Sequence, residues 1–397
     1  MNILYITVGW TGLEEVVFDG KTDANGMPAF IKPLKGLLEH GHSVDMYIIH
    51  SHQRAPQVKV VAEWFKKVKI VGMSYYAQPK YERIKNIFNI KREIRNILNS
   101  KSYDFVYAHG SAAGVVYKEI IQSGIPYGHR LYGTFLYDEI EKEGYRKAIY
   151  KHYIEYSVFK RKKDFLLITD DGSNGDKAFQ LINKKRNCDF EFWINGVDAF
   201  SCDECKNHWL RNENDPFLFY LARISRWKGQ HRAIKLLKIL KDNNLILKLY
   251  IAGQIVEEDY YKELIALART LGVEEQVIFT GGIARDEVGT FIRHAIASLS
   301  FYDLSNRGNV FYEYLNAGGV VISLADGSLD DFIVNGENGF LVKNIEDAQD
   351  IISDLCLNPN RVDIIRERAL KTSKLRLKTW TERVNDEIAL IEKYARK

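Results

Sequence analysis

The sequence has 397 residues, of which 46% are hydrophobic, 27% charged and 12% aromatic. This length exceeds that of one ordinary domain, and the composition is that of a globular protein with enough apolar residues for more than one core. Only 7 prolines and 28 glycines exclude a collagen-like or proline-rich protein. A net charge of +4 is too small to indicate a nucleic-acid-binding protein, and we recognise no motif of that class.

The sequence patterns predict a cytoplasmic protein. Residues 1–6 begin directly in an apolar strand pattern, without the basic segment and cleavage site of a signal peptide. No apolar run approaches the roughly 18 residues that a membrane span needs. Four cysteines are too few for the disulfide framework of a small secreted protein.

Short apolar runs alternate with segments of helical periodicity over most of the chain. This alternation predicts parallel, doubly wound sheets of the α/β class. The polar stretch 199–215 predicts a linker between two Rossmann-like domains, residues 1–198 and residues 216–375. Such sheets bind ligands at the carboxyl ends of their strands. The predicted strands are residues 3–8, 44–49, 104–108, 166–169, 190–194, 217–221, 247–252, 277–280, 297–301, 320–323 and 340–342.

The turn after the first predicted strand is not a dinucleotide-binding fingerprint. Residues 8–13 read V-G-W-T-G-L and therefore lack the middle glycine of G-x-G-x-x-G. A Walker A sequence is also absent. We therefore expect a different phosphorylated ligand.

Two cations follow a predicted strand of the second half. Residues 221–229 read L-A-R-I-S-R-W-K-G, which places Arg223 and Lys228 five residues apart between a strand and a helix. Cations at the start of a helix oppose its dipole, so an anion nearby explains them better than solvated surface charge does. The two side chains can converge on a pyrophosphate from two sides.

A second segment begins where the predicted strand 297–301 ends. Gly308, Asn309 and Val310 then lead into a helix whose free N–H groups suit a phosphate. Glu313 lies about one turn into this helix, where its carboxylate can accept hydrogen bonds from ribose hydroxyls. A favourable charge in the first helical turn is the alternative explanation of Glu313.

A third segment, residues 327–339, contains Asp331 before the turn N-G-E-N-G. Together the three segments resemble the C-terminal domain of GT-B glycosyltransferases of the large retaining family 4, also called glycosyl transferases group 1. Arg223 and Lys228 match the R-x4-K-G element of that family, and Glu313 matches the second acid of its E-x7-E element. Weaker matches in the expected order are N-G-V-D at 195–198, G-H-S-V at 41–44, and Trp380.

This resemblance implies a fold and a chemistry. The fold is α/β, with two Rossmann-like doubly wound domains facing across a cleft (GT-B) and a final helix, residues 376–397, packed back on the first domain. The donor is a nucleotide-diphosphate sugar, with a UDP-sugar as the first expectation, and transfer retains the configuration at the anomeric carbon. Arg223, Lys228 and the loop dipoles stabilise the departing diphosphate, so neither a metal ion nor another cofactor is required.

The resemblance also assigns further binding residues. Gly26, in a turn before a helix of the first domain, is expected to approach the donor diphosphate together with residues 308–310. Gly282 and Ile283 are expected to lie with Glu313 at the nucleoside.

The donor sugar is where the sequence departs from the family pattern. The first acid of E-x7-E falls at Ser305, which is not acidic. Ser305 itself, Asn306 or Asp303 are the candidates to hydrogen-bond the sugar instead. Asp331 stands where the family has a glutamate and is a further candidate for the sugar.

The first domain departs from the family as well. The family often carries a histidine before a glycine at the end of a strand, and Tyr132 occupies that place here. His109, at the end of another predicted strand, is the nearest polar substitute. We therefore take His109 and Tyr132 as catalytic candidates beside Arg223 and Lys228, with a structural role as the alternative for His109.

Residues 59–95 form a basic segment with interleaved aromatic side chains. Residues 51–100 contain 11 basic and 3 acidic residues. One reading is a solvated helix packed on the sheet. The other is docking on an anionic membrane surface, or binding of a phosphorylated, lipid-linked acceptor. The predicted apolar face of the helix consists of Ile84, Ile87, Phe88, Ile94 and Ile97.

Two possible metal sites are disfavoured. Cys188, Cys202, Cys205 and His208 could supply four zinc ligands, but their spacing provides one knuckle where zinc sites usually pair two. The pair at 170–171, two aspartates, is read as a solvated turn. No metal is therefore expected.

The leading hypothesis is a retaining glycosyltransferase that builds a bacterial-type surface glycan at the inner face of the cytoplasmic membrane. A soluble transferase acting on a small molecule is the second enzyme hypothesis. A protein that binds sugar nucleotides without transferring the sugar is a third, from a different class. All three predict a nucleotide sugar as partner and no nucleic acid.

Overall fold

Two units divide the chain in the computed structural model. Unit 1 comprises Met1–Gly196 and Trp380–Lys397, and unit 2 comprises Val197–Thr379. Most of the predicted linker, 199–215, lies outside the described residues. The structure describes residues 1–24, 26–51, 56–76, 80–185, 187–200, 209–210 and 215–395.

Unit 1 is built on a parallel sheet. Its strands are β1 (Asn2–Val8), β2 (Ser43–His50), β3 (Val68–Tyr75), β4 (Phe105–His109), β5 (Tyr127–Leu131), β6 (Phe165–Thr169) and β7 (Asp189–Trp193). They are hydrogen-bonded in the order β3-β2-β1-β4-β5-β6-β7. The order reverses between β1 and β4, so the carboxyl ends of these two strands flank the crevice where doubly wound sheets bind ligands.

Helices cover both faces of this sheet. The central strands are therefore buried from end to end and read as continuous apolar runs, as β4 and β6 do. The helices are α1 (Thr11–Val17), α2 (Pro28–Glu39), α3 (Lys80–Ser100), α4 (Tyr117–Ser123), α5 (Leu136–Glu143), α6 (Tyr145–Lys151), α7 (Tyr153–Lys160) and α8 (Gly175–Ile182).

Unit 2 repeats the architecture with a second parallel sheet. Its strands are β8 (Phe217–Leu221), β9 (Lys248–Ala252), β10 (Val277–Gly281), β11 (Ala297–Ser300), β12 (Val321–Leu324) and β13 (Phe340–Val342), in the order β10-β9-β8-β11-β12-β13. The order reverses between β8 and β11, which places the ligand crevice of this sheet there. The helices are α9 (Gln230–Asp242), α10 (Glu258–Thr270), α11 (Arg285–His294), α12 (Asn309–Asn316), α13 (Asp347–Leu357) and α14 (Pro359–Arg376).

The last helix, α15 (Trp380–Ala395), belongs to unit 1. It packs against α2, where Gly36 lets the two helices approach, since a Cβ at this position would collide with Val384. Its buried side chains join the core on the α2 side of the sheet. The core of unit 1 is therefore completed by residues distant in sequence.

A buried ionic cluster attaches α15 to the sheet. Glu387 accepts hydrogen bonds from Arg130 of β5 at 2.5 Å and from Tyr107 of β4 at 2.7 Å. Arg383, one turn earlier on α15, lies 3.5 Å from the same carboxylate and stacks on the Trp193 ring. Two guanidinium groups thus share one carboxylate in the interior, and burial together with the Arg130 charge lowers the pKa of Arg383 to about 10.

The α/β class with two doubly wound parallel sheets is confirmed, but two details of unit 1 differ from the predictions. The edge strand β3 was not predicted, because it lies inside the basic segment and contains lysine, glycine and serine. The prediction that the apolar side chains of α3 form one face is wrong. Ile94 is buried in the core, whereas Ile84 and Phe88 are 61% and 70% exposed on another side.

No helix in the described part of the chain combines the length and the apolar character that crossing a bilayer requires.

We predict that Glu387→Ala strongly destabilises unit 1. The substitution leaves Arg130 and Arg383 buried without a carboxylate, which should lower the free energy of unfolding by about 3–5 kcal/mol. Thermal and urea unfolding would measure the loss. The matched control is Glu382→Ala on the exposed side of the same helix, with an expected change of about 0.5 kcal/mol or less. Equal stabilities of the two variants would contradict this account of the ionic cluster.

Candidate functional site

The chain leaves the carboxyl end of β8 in a tight loop that ends at Gly229. This glycine has a φ of +66° and caps the start of α9. A Cβ here would collide with the backbone carbonyl of Phe301, so only glycine permits this approach. The approach brings Lys228 beside the segment that follows β11.

The Lys228 ammonium lies between two aromatic rings. Its Nζ is 3.8 Å from the ring centre of Trp227 and 3.7 Å from that of Tyr302. Burial, and next the charge of Arg223, lower its pKa to about 7. Among the described residues, no carboxylate forms an ion pair with Lys228 or with the exposed Arg223. An anion is the missing partner that this arrangement favours.

A third cation of the same loop is already paired. Arg226 binds both carboxylate oxygens of Glu263 at 2.6 Å, and its guanidinium lies over the Tyr260 ring. Arg226 thus differs from the predicted pair, Arg223 and Lys228, because a carboxylate already neutralises its charge.

The segment after β11 is held against β8. The Tyr302 hydroxyl donates to the Leu221 carbonyl at 3.1 Å, and the Leu221 amide donates to the Tyr314 hydroxyl of α12 at 2.8 Å. The Asp303 amide donates to the Trp227 carbonyl at 2.9 Å. The loop of Lys228, the segment after β11 and α12 therefore meet at the place where the strand order of unit 2 reverses.

The expectation that Asn306 binds a donor sugar is corrected by its position. Its side chain is buried, and its Oδ1 accepts hydrogen bonds from Ser300 and from the Tyr302 amide. Its Nδ2 donates to Asp326 at 2.8 Å. Asn306 therefore stabilises the loop through buried hydrogen bonds.

The other candidates for the sugar already form ion pairs or hydrogen bonds within the protein. Asp303 forms an ion pair with Arg232 of α9. Ser305 accepts a hydrogen bond from the Arg307 amide at 3.0 Å, within a local turn. Asp331 is half exposed and pairs with Arg307 at 3.2 Å and with Arg376 at 3.1 Å. Sequence reasoning missed these partner cations, of which Arg307 is largely buried.

The start of α12 has the properties of an anion-binding terminus. Gly308 precedes the helix in an extended conformation, and open space surrounds the position where its Cβ would lie. The first turn, which begins with Asn309 and Val310, contains no acidic residue. Backbone N–H groups at such a terminus have no helical acceptor and favour phosphate.

Glu313 lies in the next turn of α12 and is half-buried, with 22% of its side chain exposed. Arg285, at the start of α11, contacts its Oε1 at 3.2 Å. Burial raises the pKa of the Glu313 carboxyl, and the Arg285 charge opposes this effect. Gly282 and Ile283 lie in the short loop between β10 and α11. Arg285 follows this loop directly, so its contact with Glu313 connects the residues predicted at the nucleoside. Sequence reasoning missed Arg285.

The structure brings the two candidates of unit 1 together. His109 Nδ1 and the Tyr132 hydroxyl are hydrogen-bonded at 2.8 Å. His109 is only 1% exposed, stacks on Tyr5 at 4.5 Å, and its pKa is lowered well below 6.5 by burial and by the Arg130 charge. Its imidazole is therefore neutral. Tyr132 is partly exposed and lies over the Arg130 guanidinium.

Gly26 lies in the turn before α2. Its φ is +151°, a value that favours glycine, and it precedes Met27, which caps α2 in a left-handed conformation. A Cβ on Gly12, in the first turn of α1, would come within 2.6 Å of the Gly26 carbonyl oxygen, so this close approach needs glycine at position 12.

One of the four possible zinc ligands, Cys188, lies within the described residues. Cys188 is close to Asn183, whereas Cys202, Cys205 and His208 lie outside the described residues. Asp171 is half-buried in a bend, and it accepts a hydrogen bond from the Ser173 amide at 3.1 Å. Within the described residues no three His, Cys, Asp or Glu side chains converge as metal ligands.

Comparison with known families and sequences gives two findings. Residues 202–372 match the model of the family Glycosyl transferases group 1. A GDP-mannose-dependent alpha-(1-6)-phosphatidylinositol monomannoside mannosyltransferase from Mycobacterium tuberculosis is 27% identical over 157 residues. The matched segment is 37% of this chain and 40% of that relative, so it spans less than half of the relative's length.

Comparison with solved structures extends over almost the whole chain. Sucrose-phosphate synthase from Thermosynechococcus elongatus superposes with a TM-score of 0.72 at 14% identity, covering 98% of each chain. HepE from Anabaena, solved in complex with UDP, superposes with a TM-score of 0.69 at 17% identity, also covering 98% of each chain. At these identities the likeness establishes the fold. Residues 202–372 are therefore similar to the glycosyl transferases group 1 family, and the chain has the GT-B fold predicted from its sequence.

Proposed function

We propose that this protein is a retaining glycosyltransferase that moves a sugar from a nucleotide-diphosphate sugar to an acceptor. One observation carries the proposal. Lys228, Arg223 and the amino terminus of α12 gather at the crevice of unit 2, with no carboxylate among the described residues to neutralise the two cations. Glu313 lies one helical turn beyond them. This order of groups fits a diphosphate followed by a ribose.

A UDP-sugar is the favoured donor. The HepE structures hold UDP and UDP-glucose, which supports a nucleotide sugar at this fold. The mycobacterial relative is named for GDP-mannose, so guanine is the second base to test.

The reaction needs stabilisation of a growing negative charge. The bond between the anomeric carbon and the diphosphate oxygen breaks, a bond from the acceptor hydroxyl oxygen to that carbon forms, and the hydroxyl proton passes to the departing diphosphate. The charge left on the diphosphate is stabilised by Arg223, Lys228 and the N–H groups at the start of α12. These groups supply the role that a divalent ion has in metal-dependent transferases, and we propose that no metal is required.

Recognition of the donor sugar is assigned to the loop after β11 and to Asp331. Ser305 and Asp303 remain the candidates on this loop after the correction of Asn306. Asp331 offers a half-exposed carboxylate held by Arg307 and Arg376. A sugar hydroxyl can donate to such an oriented carboxylate without breaking either ion pair.

The acceptor is assigned to unit 1. We propose that Tyr132 contacts the acceptor and that buried His109 orients the Tyr132 hydroxyl through their hydrogen bond. A neutral imidazole in this position is available as a hydrogen-bond partner over the whole physiological pH range, because its pKa lies well below 6.5.

A lipid-linked or growing surface glycan is the favoured acceptor. On α3 the exposed Ile84 and Phe88 share one stripe with Lys91 and Arg95, at the i, i+4, i+7 and i+11 positions. An apolar pair followed by cations suits the surface of an anionic membrane, and it supports the proposal of a peripheral location on the inner face of the cytoplasmic membrane. A small soluble acceptor is the alternative, and a binding protein without transfer activity is the second.

We predict that Arg223→Ala and Lys228→Ala each weaken the binding of UDP and GDP. Loss of a charge-assisted contact to phosphate should cost about 1.5–3 kcal/mol, or about ten- to a hundredfold in affinity. Titration calorimetry would measure it. Arg226→Ala is the matched control, since its guanidinium is already paired with Glu263. A loss in Arg226→Ala equal to that of the two variants would place the diphosphate elsewhere.

A dependence of nucleotide affinity on pH should follow from Lys228. The free ammonium has a pKa of about 7, so above that pH the unliganded side chain is largely neutral. Binding of a diphosphate then requires uptake of one proton, and the affinity should fall by up to about tenfold per pH unit above pH 7. Calorimetry in buffers of different ionisation enthalpy would count the proton. Lys228→Ala should bind weakly with no such slope, and a slope unchanged in that variant would assign the effect to another group.

Vesicle binding separates the two acceptor hypotheses. The protein should co-sediment with vesicles that contain anionic lipid, and less so as the salt concentration rises. The double variant Ile84→Ser/Phe88→Ser should lose most of this binding. Leu357→Ser, which removes an exposed leucine of unit 2, is the control. Absence of the wild-type protein from the pellet would favour the small-molecule acceptor.

A further inference from the structure

Arg285 contacts two carboxylates at once. This residue begins α11, and its side chain is 43% exposed. Its Nη1 lies 3.2 Å from Glu313 Oε1, and its Nη2 lies 3.4 Å from Asp198 Oδ2. The guanidinium therefore bridges the expected ribose-binding carboxylate and a residue near the start of unit 2.

The three members of this bridge come from separate parts of unit 2, and each is anchored. The segment 197–200 is fixed to α12 because Asn316 donates from its side-chain amide to the Asp198 carbonyl at 2.7 Å. The Phe200 ring lies 5.2 Å from the Arg285 guanidinium. It also packs on Gly289 of α11, where a Cβ would come within 2.7 Å of the ring.

The charges of the bridge are unequal, with two carboxylates sharing one cation. Glu313 is the least exposed member, with 22% of its side chain accessible against 30% for Asp198. Burial raises its pKa, the Arg285 charge lowers it, and the Asp198 charge raises it. Removal of Arg285 would leave Glu313 enclosed beside a second negative charge, and protonation would then become easier. A protonated carboxyl is a poorer acceptor for a ribose hydroxyl than a carboxylate is.

We propose that Arg285 is a positioning residue for nucleotide recognition, which holds the Glu313 carboxylate as an acceptor for the ribose hydroxyls, and that Asp198 fixes the Arg285 guanidinium for this task. The inference rests on the proposed function, in which Glu313 binds the ribose. It adds a residue outside the R-x4-K-G and E-x7-E elements. It also gives the segment 197–200 a part in donor binding.

The charged and titratable groups that face Glu313 can be named for each element packed against it. They are Arg285 of α11, Asp198 of the segment 197–200 and Tyr302 of the segment after β11, with Tyr314 adjacent on α12 itself. Both tyrosines have pKa values raised by burial and stay neutral in the range of interest. Among the residues that the structure describes, Arg285 and Asp198 are therefore the charges that act on the pKa of Glu313.

The test compares nucleotides with and without ribose hydroxyls. UDP and GDP, and their 2′,3′-dideoxy counterparts, are titrated calorimetrically into the wild-type protein, Arg285→Ala, Arg285→Lys and Asp198→Asn. Arg285→Ala should lose about tenfold in affinity for UDP or GDP. Its affinity for the dideoxy nucleotides should stay within about twofold of wild type. Arg285→Lys should recover part of the loss, and Asp198→Asn should show a smaller one.

A pH series supplies a readout that damage to the fold would not produce. In Arg285→Ala the acid-side loss of affinity for UDP should begin at a higher pH than in wild type, because Glu313 protonates more readily. The shift should vanish when Glu313→Gln is added. Arg269→Ala, an exposed arginine of α10, is the control for removal of a positive charge.

Each outcome decides the question. An equal loss for the ribose-containing and dideoxy nucleotides would overturn the proposal, because Arg285 would then act on the phosphates or on the fold. Unchanged affinity in Arg285→Ala would overturn it as well. If the wild-type protein binds neither UDP nor GDP, the proposed function fails, and this inference fails with it. Binding by the wild type without an effect of Arg285 refutes the inference alone.

Discussion

The contact between Gly229 and the carbonyl of Phe301 is the constraint on which the donor site depends. It lets the loop after β8 lie against the segment after β11, although the two strands are separated by about 75 residues of sequence. The aromatic surroundings of Lys228, the hydrogen bonds of Tyr302 and the position of α12 all follow from this close approach. A side chain at 229 would separate these segments and disperse the groups that unit 2 collects at its crevice.

In both units, removal of a positive charge from water costs free energy, but the two units compensate for this cost differently. Lys228 is half-buried, and no carboxylate among the described residues pairs with it, so an anion that arrives lowers its free energy. Arg130 is taken out of water more completely, but it is permanently paired with Glu387, whose carboxylate also accepts a hydrogen bond from Tyr107. In unit 2, Lys228 thus has an incomplete ion pair at a position that a ligand can reach. In unit 1, Arg130 completes its pairing internally and holds a helix in place.

Local patterns allowed the sheets and the two central cations to be predicted. Apolar runs, turn glycines and the spacing of Arg223, Lys228 and Glu313 are all short-range signals. The pairings that define the site are long-range, and no local pattern encodes them. Arg232 and Asp303 are 71 positions apart. The side chain of Asn306, a candidate for the sugar by its place on the loop, is enclosed by Ser300 and Asp326. The edge strand β3 was missed because an exposed edge tolerates lysine, glycine and serine.

The return of α15 to unit 1 has a consequence for biosynthesis. Unit 2 is contiguous in sequence, so its core can close as soon as residues 197–379 have left the ribosome. Unit 1 is synthesised first, but its core lacks Trp380, Ile388 and Ile391 until residues 380–395 are made. Until then Arg130 also has no Glu387 carboxylate with which to pair. The order of folding should therefore be inverted, with the later unit maturing before the earlier one. During that interval the apolar surface of α2 is exposed, and it is the surface on which a chaperone would be expected to act.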